Sequence, residues 1–222
     1  SARRLRGATV GVIGCSGTGS PAVHVLARAG VGNFVLVDPE RLSASNLERL
    51  HGSFRRHLEL SELPFKVDLM REMIAEINPA ARVTTFVGNI LHENVFHELL
   101  RCDLVLGCVD SYHGRVALSD FASHHMLPSI DIGIAMNGKD GRLTEQVVDL
   151  TRFSPDLPCA FCRERVDSAA LAQELMTDEE RGLRMKEAER AGSARERQAA
   201  EAKVASAAAE VVGDVGMSEE VR

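Results

Sequence analysis

Residues 9–49 read TVGVIGCSGTGSPAVHVLARAGVGNFVLVDPERLSASNLER, and this stretch decides the fold. Val10–Ile13 is a short apolar run of the kind that forms a buried strand, and Gly14-Cys15-Ser16-Gly17-Thr18-Gly19 follows it directly. Ser20 has the chemistry of a helix N-cap, and Pro21 suits a first turn, where a missing N–H costs nothing. Val23, Leu26 and Ala27 share one helical face, and Gly30 provides a stop. Phe34–Val37 is a second strand closed by Asp38. A strand–glycine turn–helix unit of this kind gathers unpaired backbone N–H groups at a helix N-terminus, where anions bind. Asp38 falls about twenty residues beyond the glycines, where an acid receives ribose hydroxyls. The chemistry implied is nucleotide binding, through Gly14, Ser16, Gly17 and Gly19. The bland alternative is a tight turn in an ordinary α/β domain.

The same pattern continues along the chain. Val67, Met70, Ile74 and Ile77 recur at helical spacing and predict a helix opened near Lys66 and ended by Asn78-Pro79. Lys66 sits in its first turn, where a cation opposes the helix dipole and so suggests an anionic partner. Val83–Val87 is a strand, Asn94–Leu100 a short helix, and Asp103–Asp110 a buried strand ending in an acid. A helix follows to about His125, for which Asp110 is one candidate N-cap. Residues 128–136 form another strand. Asn137-Gly138-Lys139-Asp140-Gly141 signals a turn, and Arg142–Asp149 returns antiparallel. The fold class is therefore α/β: a Rossmann-like, mostly parallel sheet with helices on both faces, an antiparallel strand at one edge and a helical C-terminal tail. The domain division expected is 1–167 for the nucleotide-binding domain and 168–222 for an Ala/Glu/Arg-rich tail.

Length and composition bound the function. A chain of 222 residues builds one sizeable α/β domain with a modest appendage. A formal net charge of −6 argues against a nucleic-acid partner, because no basic face needs explaining. No apolar run reaches the length of a membrane span, and no signal peptide is visible. Five cysteines, an odd number, fit a reducing cytoplasm better than a disulfide framework. Arg3, Arg4 and Arg6 read as a solvated basic lead-in. The absence of a GxxxxGK[ST] loop removes the ordinary P-loop ATPase. Cys159-Ala160-Phe161-Cys162 follows Pro158 and offers half of a tetrahedral Zn²⁺ site or a redox pair.

What separates this stretch from a dehydrogenase is the segment after Asp38. Pro39-Glu40-Arg41-Leu42-Ser43-Ala44-Ser45-Asn46-Leu47-Glu48-Arg49 carries an amide and a cation toward the same crevice. It resembles the ThiF/MoeB/HesA family, the adenylating enzymes related to ubiquitin-activating E1 proteins, whose equivalent stretch runs roughly D-x-D-x-V-E-x-S-N-L-x-R-Q. Lys66 fits the family's lysine that contacts nucleotide phosphates. Asp110 and Arg115 fit its strand-ending acid and the arginine five residues on. Two positions depart from the pattern: Ser16 where the family has a glycine, and Ser111 where it has an asparagine.

The resemblance covers roughly residues 8–166 and implies Mg-ATP-dependent adenylation of a carboxylate, typically the C-terminal glycine of a ubiquitin-like or sulfur-carrier protein. It implies that Arg49, Lys66 and Asp110 are catalytic, with Asp110 on Mg²⁺ and Asn46 orienting a phosphate. It also implies a homodimer and an acceptor that is E2-like or a sulfurtransferase. For Cys159 and Cys162 it supports Zn²⁺, and their position late in the chain, away from the first βαβ unit, ranks redox chemistry below it. The family's second CxxC is missing, so a histidine, a water or another subunit would complete the site. The family's last helices and thiol-bearing crossover segment do not align with the tail, which leaves divergence or truncation open. None of the five cysteines stands out as a nucleophile. The competing readings are an NAD(P)-dependent Rossmann dehydrogenase and a non-catalytic scaffold that binds a ubiquitin-like protein.

Overall fold

The computed structural model describes residues 2–90, 92–139 and 142–177, together with 179, 186 and 192. Its contacts divide the chain into one unit spanning Ser1–Glu174 and a second spanning Leu175–Arg222. Most of the helical tail expected over 168–222 lies outside the described residues.

In the first unit, α1 (Ala2–Gly7) leads into β1 (Thr9–Ile13), α2 (Gly19–Ala29) and β2 (Asn33–Val37). Then come α3 (Lys66–Ile77), β3 (Arg82–Phe86), α4 (Glu93–Leu99), β4 (Leu104–Gly107) and α5 (Tyr112–His125). A long ribbon, β5 (Ser129–Lys139) and β6 (Arg142–Phe153), and a short α6 (Ser168–Glu174) complete it. The six strands lie in the order β3-β2-β1-β4-β5-β6. All neighbours are parallel except β5 and β6. The strand order reverses between β1 and β4, and open α/β sheets bind ligands outside the carboxyl ends at such a switch point.

Alternation along the strands builds a core on each face. Val10, Val12, Phe34, Leu36 and Leu106 pack against Val23 and Ala27 of α2 and Val67, Met70 and Ile74 of α3. Ile13, Val35, Val37 and Val105 face Val95 and Leu99 of α4 and Leu118, Phe121 and Ala122 of α5. The α/β Rossmann-like architecture expected from the periodicity is thus the one observed.

Several details differ from expectation. The basic lead-in is a helix, whose Leu5 packs against the core while Arg3, Arg4 and Arg6 stay exposed. Ser20 is not the N-cap of α2: Thr18 occupies that position, and Ser20 is buried inside the first turn. Its Oγ accepts from the His51 N–H at 2.9 Å and reaches the Arg49 carbonyl at 3.4 Å, so it ties the helix to the loop that follows β2. The hairpin reverses within the expected 137–141 stretch, but Asn137, Gly138 and Lys139 still pair with β6. A register shift at Asn137/Gly138 absorbs the local irregularity, and pairing continues to Lys139↔Arg142. Asn137 supports this by donating to the Glu145 carboxylate at 2.9 Å, while its carbonyl accepts from Thr144 Oγ1. Asp110 does not cap α5, because Ser111 does, accepting from the Gly114 N–H at 3.3 Å. α6, which composition groups with the tail, belongs to the first unit, where Leu171 packs against the core.

Candidate functional site

The glycine turn lies at the switch point. Gly14 has φ 88°, a left-handed conformation that favours glycine, and a Cβ there would lie 2.5 Å from the Cys108 carbonyl oxygen. The carboxyl ends of β1 and β4 therefore meet backbone to backbone. Gly19 is closer still: a Cβ would lie 1.8 Å from the Gly14 oxygen. The turn is pulled shut by Asp38. Its Oδ2 accepts from the Cys15 N–H at 2.7 Å and its Oδ1 from the Glu40 N–H at 2.8 Å. Burial pushes the Asp38 carboxyl above its ordinary value, against the two backbone N–H groups and the Lys66 charge that lower it. Beyond this brace the helix is left open. Thr18 makes no side-chain cap, and the N–H groups of Gly17, Thr18 and Gly19 find no acceptor among the described residues. Helix N-termini leave their first N–H groups unsatisfied, and these three are the ones an anion at this turn would meet.

Two cations are brought to this turn by local structure. Residues 40–42 and 64–66 form a small antiparallel bridge, Arg41↔Phe65, with the Lys66 N–H on the Glu40 carbonyl and the Leu42 N–H on the Pro64 carbonyl. Arg41 stacks on Phe65 at 3.7 Å and pairs with Glu62 at 2.6 Å, which fixes the bridge from outside. Lys66 is consequently only 2% exposed, and its ammonium pairs with the Glu40 carboxylate. Its charge is felt by both Asp38 and Cys15. Arg49 runs alongside the turn, with its Cδ 3.0 Å from where a Cβ on Gly17 would be, and its guanidinium donates to the Ser45 carbonyl at 3.2 Å. Asn46 is buried, and its Oδ1 accepts from the Ser43 N–H at 2.9 Å. Its side-chain nitrogen has no acceptor among the described residues.

Asp110 differs from Asp38. It is exposed and makes no hydrogen bond or ion pair among the described residues. Arg115 lies one helical turn into α5 and is taken by Asp131, at 3.0 Å. The other Asp131 oxygen is buried without a partner among the described residues, and burial raises this carboxyl above its ordinary value. Sequence reasoning did not single out Glu40. Its signal was the second acid of the family's D-x-D, here conserved in charge but one carbon longer.

The sulfur positions divide into two groups. Burial pushes the Cys15 thiol far up, and pushes Cys102 and Cys108 up to about 12. Cys159 and Cys162 lie at the surface with their Sγ atoms 3.5 Å apart. The Cys162 N–H, then its thiol, holds the Cys159 thiol below its ordinary value. No group of three or more His, Cys, Asp and Glu side chains converges among the described residues. The pair thus supplies two of the four ligands a structural Zn²⁺ needs, and the described residues do not complete the set. The His51–His57 segment is tied to the first turn of α2 through the His51 N–H and Ser20 Oγ. It lines a separate cavity of about 730 Å³ with His24, Arg28, Met73 and Glu76.

The ThiF family model matches residues 1–218. The chain belongs to the ThiF family. It is 31% identical over 161 residues to the adenylyltransferase and sulfurtransferase UBA4 of Saccharomyces cerevisiae, covering 72% of this chain and 34% of that protein. It is 30% identical over 158 residues to the tRNA threonylcarbamoyladenosine dehydratase of Escherichia coli, covering 71% and 57%. This ThiF-family chain therefore spans about a third of one relative and somewhat over half of the other. The solved structure of the E. coli dehydratase, TcdA, matches with a TM-score of 0.55 at 28% identity, over 63% of this chain and 57% of that one. TcdA has also been solved in complex with ATP. No helix among the described residues is long and apolar enough to cross a membrane.

Proposed function

We propose that this chain binds Mg-ATP and adenylates the terminal carboxylate of a small carrier protein of the ubiquitin-like or sulfur-carrier type. The observation that carries the reading is the convergence of a buried Lys66 and of Arg49 on an uncapped helix N-terminus. A lysine kept from water beside a glycine turn needs an anion, and Glu40, two-thirds exposed, is a partner that can swing away. A dinucleotide needs no such pair of cations for hydride transfer, so the dehydrogenase reading is the weaker one. The names of UBA4 and of the ATP-bound TcdA support the nucleotide assignment by kinship.

The roles follow from position. The N–H groups of Gly17 and Gly19 hold phosphate oxygens, with the Ser16 hydroxyl beside them. Asn46 orients an oxygen through its free amide nitrogen. Asp38 is a brace, since both its oxygens already hold backbone N–H groups; the ribose hydroxyls go to Glu40. Asp110 is the free carboxylate for Mg²⁺, which is usually bound through one or two carboxylates plus phosphates. Mg²⁺ would supply neutralisation of phosphate charge. A terminal carboxylate is ionised at neutral pH, so no general base is required. One of its oxygens attacks the α-phosphorus, the bond to the bridging oxygen breaks, and pyrophosphate leaves with that electron pair. Lys66 and Arg49 stabilise the charge that grows on the leaving group. Passage of the acyl group to a thiol of this chain would fall to Cys159, because burial keeps Cys15, Cys102 and Cys108 protonated.

Exchange of labelled pyrophosphate into ATP, run with proteins ending in Gly-Gly, tests the reading. Exchange that requires both Mg²⁺ and a free terminal carboxylate is expected. Nucleotide binding with no exchange for any such protein, alongside tight NAD⁺ binding, would overturn it.

A further inference from the structure

The first turn of α5 is closed by a carboxylate from far along the chain. Glu174, the last residue of α6, accepts from the N–H groups of Tyr112 and His113, both at 3.0 Å, and lies 3.1 Å from His113 Nδ1. Ser111 already caps the Gly114 N–H, so α5 is locally capped before Glu174 arrives. Burial is the largest single influence on the Glu174 carboxyl and raises it, but the two backbone N–H groups and His113 together outweigh it and hold the group below its ordinary value. His113 is steadied from its other side by Asn89, whose amide nitrogen lies 3.4 Å from Nε2. These donors stand two and three residues beyond Asp110, past the carboxyl edge of β4.

We propose that this set of donors is the subsite for the substrate's terminal carboxylate, held by Glu174 until the incoming carboxylate displaces it. The inference rests on the adenylation reading above. Its chemistry is that of one carboxylate standing in for another: two backbone N–H groups and an imidazole already bind this group in this geometry. The internal ligand is also releasable. α6 has no buried residue and is anchored mainly by half-buried Leu171. Asp167 caps α6 through the Ala169 and Ala170 N–H groups, so the helix keeps its own start when Glu174 lets go. The His113–Glu174 contact is about a quarter exposed on each side, so a ligand arriving from solvent can reach it.

The test follows the Tyr112 and His113 amide signals of the full chain while acetyl-Gly-Gly, or its C-terminal amide, is added. In Glu174→Ala the free acid should bind at least tenfold more tightly than in wild type and move both signals. The amide should move neither. Glu174→Gln, which keeps an acceptor but loses the charge, should fall between them and guards against a misfolded alanine variant. Equal affinity in all three proteins, or binding that leaves Tyr112 and His113 unmoved, would overturn the subsite. Mg-ATP calorimetry on the same samples separates the two claims: normal ATP binding with no peptide response removes the subsite alone, and absent ATP binding removes the adenylation reading.

Discussion

Two strand-to-helix turns flank the switch point, and they are finished in opposite ways. The β1–α2 turn is held rigid by Asp38 and by glycine-to-backbone contact, and its helix N-terminus is left without a side-chain cap. The β4–α5 turn holds an exposed acid, Asp110, and its helix N-terminus is doubly capped, by Ser111 and Glu174. Each helix begins with the same unsatisfied N–H groups. The first turn reserves them for an anion from outside, and the second fills them from within. The acids show the same division: Asp38 spends its charge on architecture, and Asp110 keeps its charge available.

Glycine substitutions should show the contrast most strongly. Gly19→Ala drives a Cβ into the Gly14 carbonyl oxygen, a backbone atom that cannot step aside. A loss of about 3 kcal/mol is expected in denaturant unfolding, the top of the overpacking range. Gly114→Ala meets Val109 Cγ2 at 2.5 Å, a side chain that can rotate, and should cost about a third as much. Equal costs would erase the difference between the turns. Next in size is Asp38→Asn, which leaves either the buried Cys15 N–H or the part-buried Glu40 N–H facing an amide nitrogen. It should lose about 2 kcal/mol, and a change below about 0.5 kcal/mol would show that Asp38 braces nothing.

Asp131 yields a pH test with a definite sign. Its folded pKa is raised above the ordinary 3.8, so the native state binds protons more tightly than the unfolded chain there. Stability from this group is full below that ordinary value and is lost as pH rises through the raised one. Asp131→Asn should therefore flatten the decline in stability on going from about pH 4 upward, and an unchanged pH profile would refute the shift. The smallest stability effect belongs to Asp110→Asn, expected within about 0.5 kcal/mol of wild type because the side chain is exposed and unpartnered. The same substitution should nonetheless weaken the Mg²⁺ dependence of ATP binding, read by titrating Mg²⁺ at fixed nucleotide.

Much of this was legible in the sequence because it is periodic or local. The alternation of Val10, Val12, Phe34 and Leu36, and the helical stripe from Val67 to Ile77, specify which faces are buried. Lys66 announced itself as a cation placed against a helix dipole. The unread parts depend on contacts that spacing does not record. Glu40 and Lys66 are joined by a bridge between two irregular segments, and Glu174 reaches α5 from sixty residues away. Ser20 looked like a cap because its neighbours fit one, yet its hydroxyl was claimed by His51. The hairpin reverses inside the expected 137–141 stretch but later than its Asn-Gly start, since a bulge at Asn137/Gly138 keeps that glycine within the strand.

The central claim is that Lys66 and Arg49 serve a triphosphate lying on the glycine turn. Calorimetry of Mg-ATP against wild type and Lys66→Met tests it most directly, because Glu40 is exposed and loses little by being left alone. Loss of the buried charge should cost about 3 kcal/mol, a fall of roughly 100-fold in affinity, with no compensating gain for NAD⁺. ATP affinity unchanged by Lys66→Met, or NAD⁺ binding as tightly as ATP in wild type, would contradict it.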